Sequence, residues 1–318
     1  MSVLSLRECP DGESVSAYAL SSSSKCRSRT KLAAGLLGSL ALFPLVLVQG
    51  MVTRRRVPSL PAAQPPHRGF VPGAGRRLRI LAIGDSTVSG IGVMRGDETV
   101  SATTARALAR MTGRPVAWHA VGLSGATAKI AVGQLIPRLV PEPADLLVVA
   151  FGVNDAMAYR SPAAFARDLT ALVSAARSCV GDAAVVIAGV APLKFFPGLP
   201  SPLRGILGWR CTALQTAAER LAEQLPRLVV ERFSALFVPE LFASDGFHPN
   251  ARAHAMWGEE IAALALPLLQ ERQPPCGHPA AERRPFDRAL ETSSAVRHAR
   301  STKHRAPPPV GGLKGFLS

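Results

Sequence analysis

The sequence has few cysteines and none of the spacings that would make them a metal site or a disulfide framework. The five cysteines lie far apart, at Cys9, Cys26, Cys179, Cys211 and Cys276, and no CxxC pair occurs. This pattern indicates neither a zinc ribbon nor a small disulfide-stapled domain. We interpret Cys179 and Cys211, which flank a predicted strand, as small core residues, with a disulfide between them as the alternative.

Glycine and proline are too scarce for a collagen-like or low-complexity chain. There are 27 of each among 318 residues, while hydrophobic residues make up 47% and charged residues 19% of the chain. A chain this apolar is not disordered throughout, and it is long enough to bury a sizeable core in one or two domains.

The positive charge lies mainly outside the part of the chain that is predicted to fold. The formal net charge is +15, but residues 78–270 hold 17 Lys and Arg against 15 Asp and Glu. A nucleic-acid-binding domain would carry its basic groove on the domain itself, so we expect no specific nucleic-acid partner. Basic tails of this kind meet anionic lipid or remain solvated, and nucleic-acid binding by the tails is an alternative.

One uncharged apolar run approaches the length of a membrane-spanning helix. It covers residues 32–48, and residues 49–52 can extend it. We therefore predict a single transmembrane helix over residues 32–52, with a buried core helix as the alternative. Basic residues on its two sides are nearly balanced, which leaves the orientation open. Residues 1–31 and 271–318 are predicted to be disordered basic tails, and residues 53–77 a linker.

Residues 78–270 alternate between apolar strands and helices. Apolar runs predict strands at residues 79–84, 115–121, 145–152, 183–190 and 227–233. Helical spacing predicts a helix after each of them, the last at residues 251–269. This alternation indicates an α/β fold with a parallel sheet covered on both faces.

Four polar, glycine-containing turns follow strands of this sheet or precede its last helix. They are GDSTVSG (84–90), GLSGAT (122–127), GVNDA (152–156) and SDGFHPN (244–250). Ligands bind beyond the carboxyl ends of parallel strands, so these turns are expected to converge on one site.

The four turns supply what ester cleavage needs: a nucleophile, a base and donors for the oxyanion. Ser86 can attack, His248 can take its proton, and Asp245 can orient the imidazole. The Asn154 amide and the Gly125 N–H can donate to the oxyanion.

Taken singly, these residues also have structural explanations. Ser86 could cap a helix, and Asn154 with Asp155 could form a turn. We assign Asp85 and Asp155 structural roles, and we interpret His254 on the last helix as a packed or exposed side chain.

In this order, the four blocks resemble the SGNH hydrolases, also called GDSL-type esterases and lipases, over roughly residues 78–269. The resemblance implies a three-layer, flavodoxin-like fold with a five-stranded parallel sheet. It implies Ser86 as nucleophile, His248 as base and Asp245 as its orienting acid. It also implies an oxyanion hole formed by the N–H groups of Ser86 and Gly125 and by the Asn154 side chain. No metal or organic cofactor is implied.

One residue departs from the GDSL pattern that gives the family its name. Thr87 follows Ser86 at the position where the pattern has leucine. Outside the four blocks, the apolar loop at residues 191–205 contains Phe195 and Phe196. We predict that these two side chains bind substrate, as an acyl-binding wall or lid. The alternative is a segment packed against the core or a membrane.

The sequence therefore predicts a membrane-anchored serine esterase that acts on small-molecule, lipid or glycan esters through an acyl-enzyme. An acyltransferase or polysaccharide O-deacetylase of the same fold is the alternative within this chemistry. A catalytically silent, membrane-tethered binding module is the alternative of another class. The oligomeric state and the side of the membrane are left open.

Overall fold

The computed structural model describes residues 58–233 and 237–270, together with Leu45, residues 48–50 and Val52. The predicted tails, residues 1–31 and 271–318, lie outside the described residues, as does most of the predicted transmembrane helix. Within the described part of the chain, no helix combines the length and apolar character needed to cross a bilayer.

A mixed sheet of six strands forms the centre of the domain, which confirms the predicted α/β fold. The strands are β1 (Arg68–Val71), β2 (Leu78–Gly84), β3 (Val116–Gly122), β4 (Leu146–Ala150), β5 (Ala184–Ala188) and β6 (Leu228–Val230). Their order is β1-β3-β2-β4-β5-β6, and every neighbouring pair is parallel except β1 with β3. The five parallel strands thus have the flavodoxin-like order, in which the direction of winding changes beside β2.

Strand β1 corrects two predictions, the linker at residues 53–77 and the five-stranded parallel sheet. Arg68–Val71 pairs antiparallel with β3 and adds a sixth strand at the edge of the sheet. The strand has only four residues and alternates between exposed and half-buried positions. Such a short edge strand leaves too few apolar positions to be recognised in a Pro- and Gly-rich segment.

Helices cover both faces of the sheet. On one face lie α1 (Val100–Thr112) and α6 (Ala251–Gln270); on the other lie α2 (Ala128–Gln134), α4 (Pro162–Val180) and α5 (Leu203–Ala222). The short helix α3 (Val153–Met157) follows β4 and was not predicted. Every residue of β4 and β5 is buried, because helices cover these strands on both sides.

The helix predicted after the strand at residues 115–121 ends early in the structure. Its α-helical part ends at Gln134, and the chain continues as the 3-10 helix Ile136–Arg138. Pro137 lies in this segment and has no N–H to donate, which explains the break.

Cys179 is half-buried and Cys211 is buried, and both are free thiols. Burial raises the pKa of the Cys211 thiol to about 11. Because both thiols are free, the disulfide alternative is wrong, and the buried Cys211 is a core side chain.

Candidate active site

Strands β2, β3 and β4 end at the same level, which brings the turns that follow them together. Gly84 at the end of β2 is in register with Gly122 of β3 and Ala150 of β4. Asp85 N–H donates to the Ala150 carbonyl at 3.2 Å, and Leu123 N–H donates to the Gly84 carbonyl at 3.0 Å. A Cβ on Gly84 would lie 2.8 Å from the Ala150 carbonyl oxygen, so only glycine permits this approach.

Ser86, His248 and Asp245 form one chain of hydrogen-bonded side chains. His248 Nε2 lies 3.0 Å from Ser86 Oγ, although 162 positions separate the two residues. His248 Nδ1 lies 2.6 Å from Asp245 Oδ2. An imidazole whose Nδ1–H donates to a carboxylate presents the Nε2 lone pair to the serine hydroxyl, as a general base must.

The Asp245 carboxylate also fixes the loop that carries it. Its Oδ1 accepts the backbone N–H groups of Phe247 and His248, both at 2.9 Å. Burial raises the pKa of Asp245, but the hydrogen bonds from His248 and Phe247 outweigh it and hold the pKa below its ordinary value. The carboxylate is therefore ionised at neutral pH and can stabilise a protonated His248.

Asn154, at the start of α3, connects the turn of Ser86 with the turn of Gly125. Its Nδ2 donates to Asp85 Oδ2 at 3.0 Å and to the Ala126 carbonyl at 3.2 Å. An amide nitrogen has two hydrogens, so both are used. An oxyanion would have to take the place of one acceptor, and the more distant Ala126 carbonyl is the one more easily replaced.

Two backbone N–H groups at this edge, those of Ser86 and Gly125, donate to no acceptor among the described residues. Gly125 is exposed and has a φ of +77°, a left-handed conformation that strains other residues. Both N–H groups are therefore available to a bound ligand.

Two buried carboxylates support these turns, as the structural roles predicted for them require. Asp85 Oδ1 accepts the backbone N–H of Thr87 at 3.0 Å and its hydroxyl at 2.8 Å. The threonine that departs from the family pattern thus takes part in the turn. Asp155 accepts the N–H of Ala128, the first residue of α2, at 3.2 Å. Burial raises the pKa of both carboxyls, that of Asp155 to about 7.

The hydrogen bond between Asp85 and Asn154 was not predicted. It makes Asp85, the neighbour of Ser86, a positioning residue for the amide as well as a turn residue. The only signal in the sequence was an acidic residue directly before the candidate nucleophile.

The loop with the two predicted substrate-binding phenylalanines lies against the loop of His248. Phe196 is 5% exposed and packs on the ring of Phe247, which in turn packs on the His248 ring. Phe195 is 50% exposed and stacks on Phe237. Phe195 is therefore the one of the pair that a substrate could contact directly.

His254 is fully buried on α6, where its Nδ1 accepts the Val100 N–H at 3.1 Å. Burial lowers the pKa of its imidazole to about 3. This histidine stays neutral and connects α6 with α1, so it is a packed core residue. Among the described residues, no group of three or more His, Cys, Asp or Glu could hold a metal ion.

Comparisons with known proteins match the region that contains the four turns. The model of the GDSL-like lipase/acylhydrolase family matches residues 82–256. A GDSL-like esterase of Mycobacterium tuberculosis is 31% identical over 243 residues, which are 73% of this chain and 75% of that protein.

Solved structures with similar folds include a lipase from a goat rumen metagenome and a family 3 carbohydrate esterase of Clostridium thermocellum. The lipase is 15% identical with a TM-score of 0.48, and the match covers 58% of this chain and 96% of the lipase. The carbohydrate esterase is 14% identical with a TM-score of 0.48, and the match covers 62% of this chain and 98% of that chain.

Proposed function

Because this chain belongs to the GDSL-like lipase/acylhydrolase family, we propose that it is a serine esterase that acts through Ser86, His248 and Asp245. The observation that carries the proposal is the pair of contacts made by His248, at 3.0 Å to Ser86 Oγ and 2.6 Å to Asp245 Oδ2. A serine next to a base that is itself oriented by a carboxylate is an activated nucleophile.

The reaction proceeds in two halves. Ser86 Oγ attacks the ester carbonyl while His248 Nε2 takes its proton, and the protonated imidazole then gives that proton to the departing alcohol. In the second half, water attacks the acyl-enzyme, His248 takes a proton from this water, and Ser86 leaves with that proton as the acid is released. Asp245 keeps the imidazole in the required tautomer and stabilises its charged form in both halves.

The tetrahedral oxyanion is held by the Ser86 N–H, the Gly125 N–H and the Asn154 amide. The two N–H groups have no acceptor among the described residues, and Asn154 exchanges the Ala126 carbonyl for the oxyanion. Asp85 keeps its hydrogen bond to the same amide, so the amide stays oriented while it changes partner. Preorganised donors of this kind lower the barrier because they need no reorientation when charge develops.

We also propose that residues 32–52 anchor the enzyme in a membrane as a single spanning helix. The support is the uncharged apolar run, which is separated from the domain by a Pro- and Arg-rich stretch.

We propose further that the acyl group of the substrate lies toward the loop of Phe195 and Phe196. The exposed Phe195 contacts the acyl group, and the buried Phe196 supports the loop from the core.

Replacing the nucleophile tests the proposal directly. We expect Ser86→Ala to abolish turnover of p-nitrophenyl acetate and to prevent labelling by a fluorophosphonate probe, because only an activated serine reacts with it. Ser89→Ala is the matched control, since Ser89 lies in the same turn and its hydroxyl donates to the Asp85 carbonyl. This control should keep both activities.

Undiminished turnover by the Ser86→Ala variant would contradict the assignment. A wild-type protein that neither reacts with the probe nor cleaves the ester would be the silent binding module. Product analysis with alcohols, glycans and lipids present as acceptors separates hydrolysis from acyl transfer.

A further inference from the structure

Three large aromatic side chains are exposed on helix α5 and beside it. Trp209 is 71% exposed, Tyr159 is 53% exposed and Phe195 is 50% exposed. We call these three residues the aromatic surface. Tryptophan is rarely left so exposed on the surface of a domain, and neighbouring exposed aromatic residues mark a site of interaction.

The neighbours of Trp209 in α5 connect it with the other two aromatic residues. Trp209 is on the exposed side of α5, between Gly208 and Arg210. Gly208 packs against Lys194, whose ammonium group lies 4.8 Å from the centre of the Phe195 ring. On the other side, the Arg210 guanidinium lies 4.4 Å from the centre of the Tyr159 ring.

The aromatic surface borders the candidate active site. The loop of Phe195 contacts the loop of His248, since the Gly198 N–H donates to the Gly246 carbonyl at 3.2 Å. Tyr159 follows directly after α3, the helix that carries Asn154. Whatever covers this surface therefore lies beside the segments that carry His248 and Asn154.

The end of the predicted transmembrane helix lies beside the same surface. The Gln49 side chain donates to the Ser201 carbonyl at 2.8 Å and accepts the Leu203 N–H at 3.2 Å. Leu203 is the first residue of α5, and Trp209 follows about 9 Å further along the helix axis. The apolar run itself ends at residue 48, directly before Gln49. A chain that leaves the bilayer core at this point holds the aromatic surface close to the lipid.

The charge of this region suits an anionic bilayer. No acidic residue occurs between Asp182 and Glu219, whereas Lys194 and Arg204 lie in that stretch. Arg210 lies there too, but its guanidinium donates to the carbonyls of Ala156 and Arg160, so Lys194 and Arg204 are the cations that can meet lipid. Exposed aromatic residues with cations beside them favour the headgroup region, where the rings are partly buried and the cations meet lipid phosphates.

From these observations we infer that the aromatic surface inserts into the headgroup region of the bilayer that anchors the chain. The active site then takes its substrates, acyl esters dissolved in the lipid, directly from the membrane. This inference rests on the proposed esterase function and anchor, but it assigns a role to Trp209 that neither requires.

The test uses the full chain in vesicles of phosphatidylcholine with a minority of phosphatidylglycerol. Two substrates are compared, soluble p-nitrophenyl acetate and a long-chain p-nitrophenyl ester dissolved in the bilayer. We expect Trp209→Ser to lower kcat/KM for the bilayer ester about tenfold, because an aromatic side chain no longer partitions into the interface. Turnover of the soluble ester should not change, and Trp209→Phe should restore most of the loss.

Phe70→Ser is the matched control. Phe70 is 44% exposed and has the Arg77 guanidinium 5.1 Å from its ring centre, much as Phe195 has Lys194. It lies on β1, opposite Ala117 near the amino end of β3, far from the edge that carries Ser86. This variant should leave the turnover of both esters unchanged.

A second readout does not depend on activity. Lipids brominated on their acyl chains should quench part of the tryptophan fluorescence of the wild type, and that part should be missing in Trp209→Phe.

Equal quenching in the two proteins, with unchanged turnover of the bilayer ester by Trp209→Ser, would overturn the inference while the esterase proposal stands. A second outcome would also overturn the inference: a dimeric wild type, a monomeric Trp209→Ser variant, and equal quenching in the wild type and Trp209→Phe. The aromatic surface would then join two copies of the chain. Absence of all turnover in the wild type would refute the esterase proposal, and quenching would still decide the inference.

Discussion

Two regions of the domain hold a histidine among other polar side chains, one half-buried and one buried, and the two histidines have different roles. At the carboxyl edge of the sheet, side chains pair with side chains: His248 contacts Ser86 and Asp245. At the contact between α1 and α6, the hydrogen bonds of His254 and Thr103 go to the backbone. Within the described residues, Ser101 Oγ, Thr104 Oγ1 and His254 Nε2 have no hydrogen-bond partner.

The comparison shows that the partners of a histidine decide its role. His248 is beside a carboxylate and within reach of a hydroxyl, so it can gain and lose a proton during a reaction. His254 is fully buried with no carboxylate bonded to it, so it is held neutral and serves as a hydrogen-bond acceptor for α1. The two histidines are only six positions apart in the sequence, so their different roles come from the groups around them.

The largest effect is expected when His248 loses its carboxylate partner, which His254 does not have. Asp245→Asn keeps an oxygen for the N–H groups of Phe247 and His248 but favours the wrong tautomer of the imidazole. We expect kcat for a soluble ester to fall by about 10⁴. His254→Asn is the control and should keep nearly wild-type kcat at neutral pH. Equal losses in the two variants would refute the division of roles.

A smaller effect is expected from the oxyanion donor at the same edge. Asn154→Ala should lower kcat by about 10²–10³ while KM changes little, because the amide acts on the transition state and not on the bound ester. Steady-state kinetics with p-nitrophenyl acetate measures both constants. A loss below about tenfold would mean that the amide keeps its two acceptors throughout the reaction.

The smallest effect concerns stability at the contact between α1 and α6. The pKa of His254 is about 3 in the folded protein against 6.5 as its ordinary value, so the unfolded chain binds the proton first as the pH falls. Stability is therefore lost as the pH falls from about 6.5 toward 3, by up to ~1.4 kcal/mol per pH unit.

His254→Asn retains a hydrogen-bond acceptor near the position of Nδ1 but does not titrate. Between about pH 7 and pH 4.5, the variant should lose up to ~2–3 kcal/mol less unfolding free energy than the wild type. Urea titrations of both proteins at the two pH values measure this difference. Parallel losses would mean that His254 does not contribute to acid sensitivity.

The fold could be predicted from the sequence wherever the pattern was long and apolar. Strands β4 and β5 are runs without alternation, as expected for strands covered on both sides. Strand β1 and helix α3 were missed because four or five residues carry too little periodic signal. Ser86 lies close to His248, and His248 to Asp245, as the sequence predicted. The end of β2 sets the place of the Ser86 turn, whereas the turn of Asp245 and His248 is placed by the start of α6 at Ala251.

By itself, the sequence determined the alternation of strands and helices, the four polar turns and the apolar run before the domain, because these are local patterns of residue type. Only the tertiary structure decided that Asp85 orients Asn154, that Phe196 is buried while Phe195 is exposed, and that Gln49 reaches the start of α5. Each of these depends on side chains from distant segments approaching within a few ångströms. Packing sets such distances, and residue order does not encode them in any local pattern.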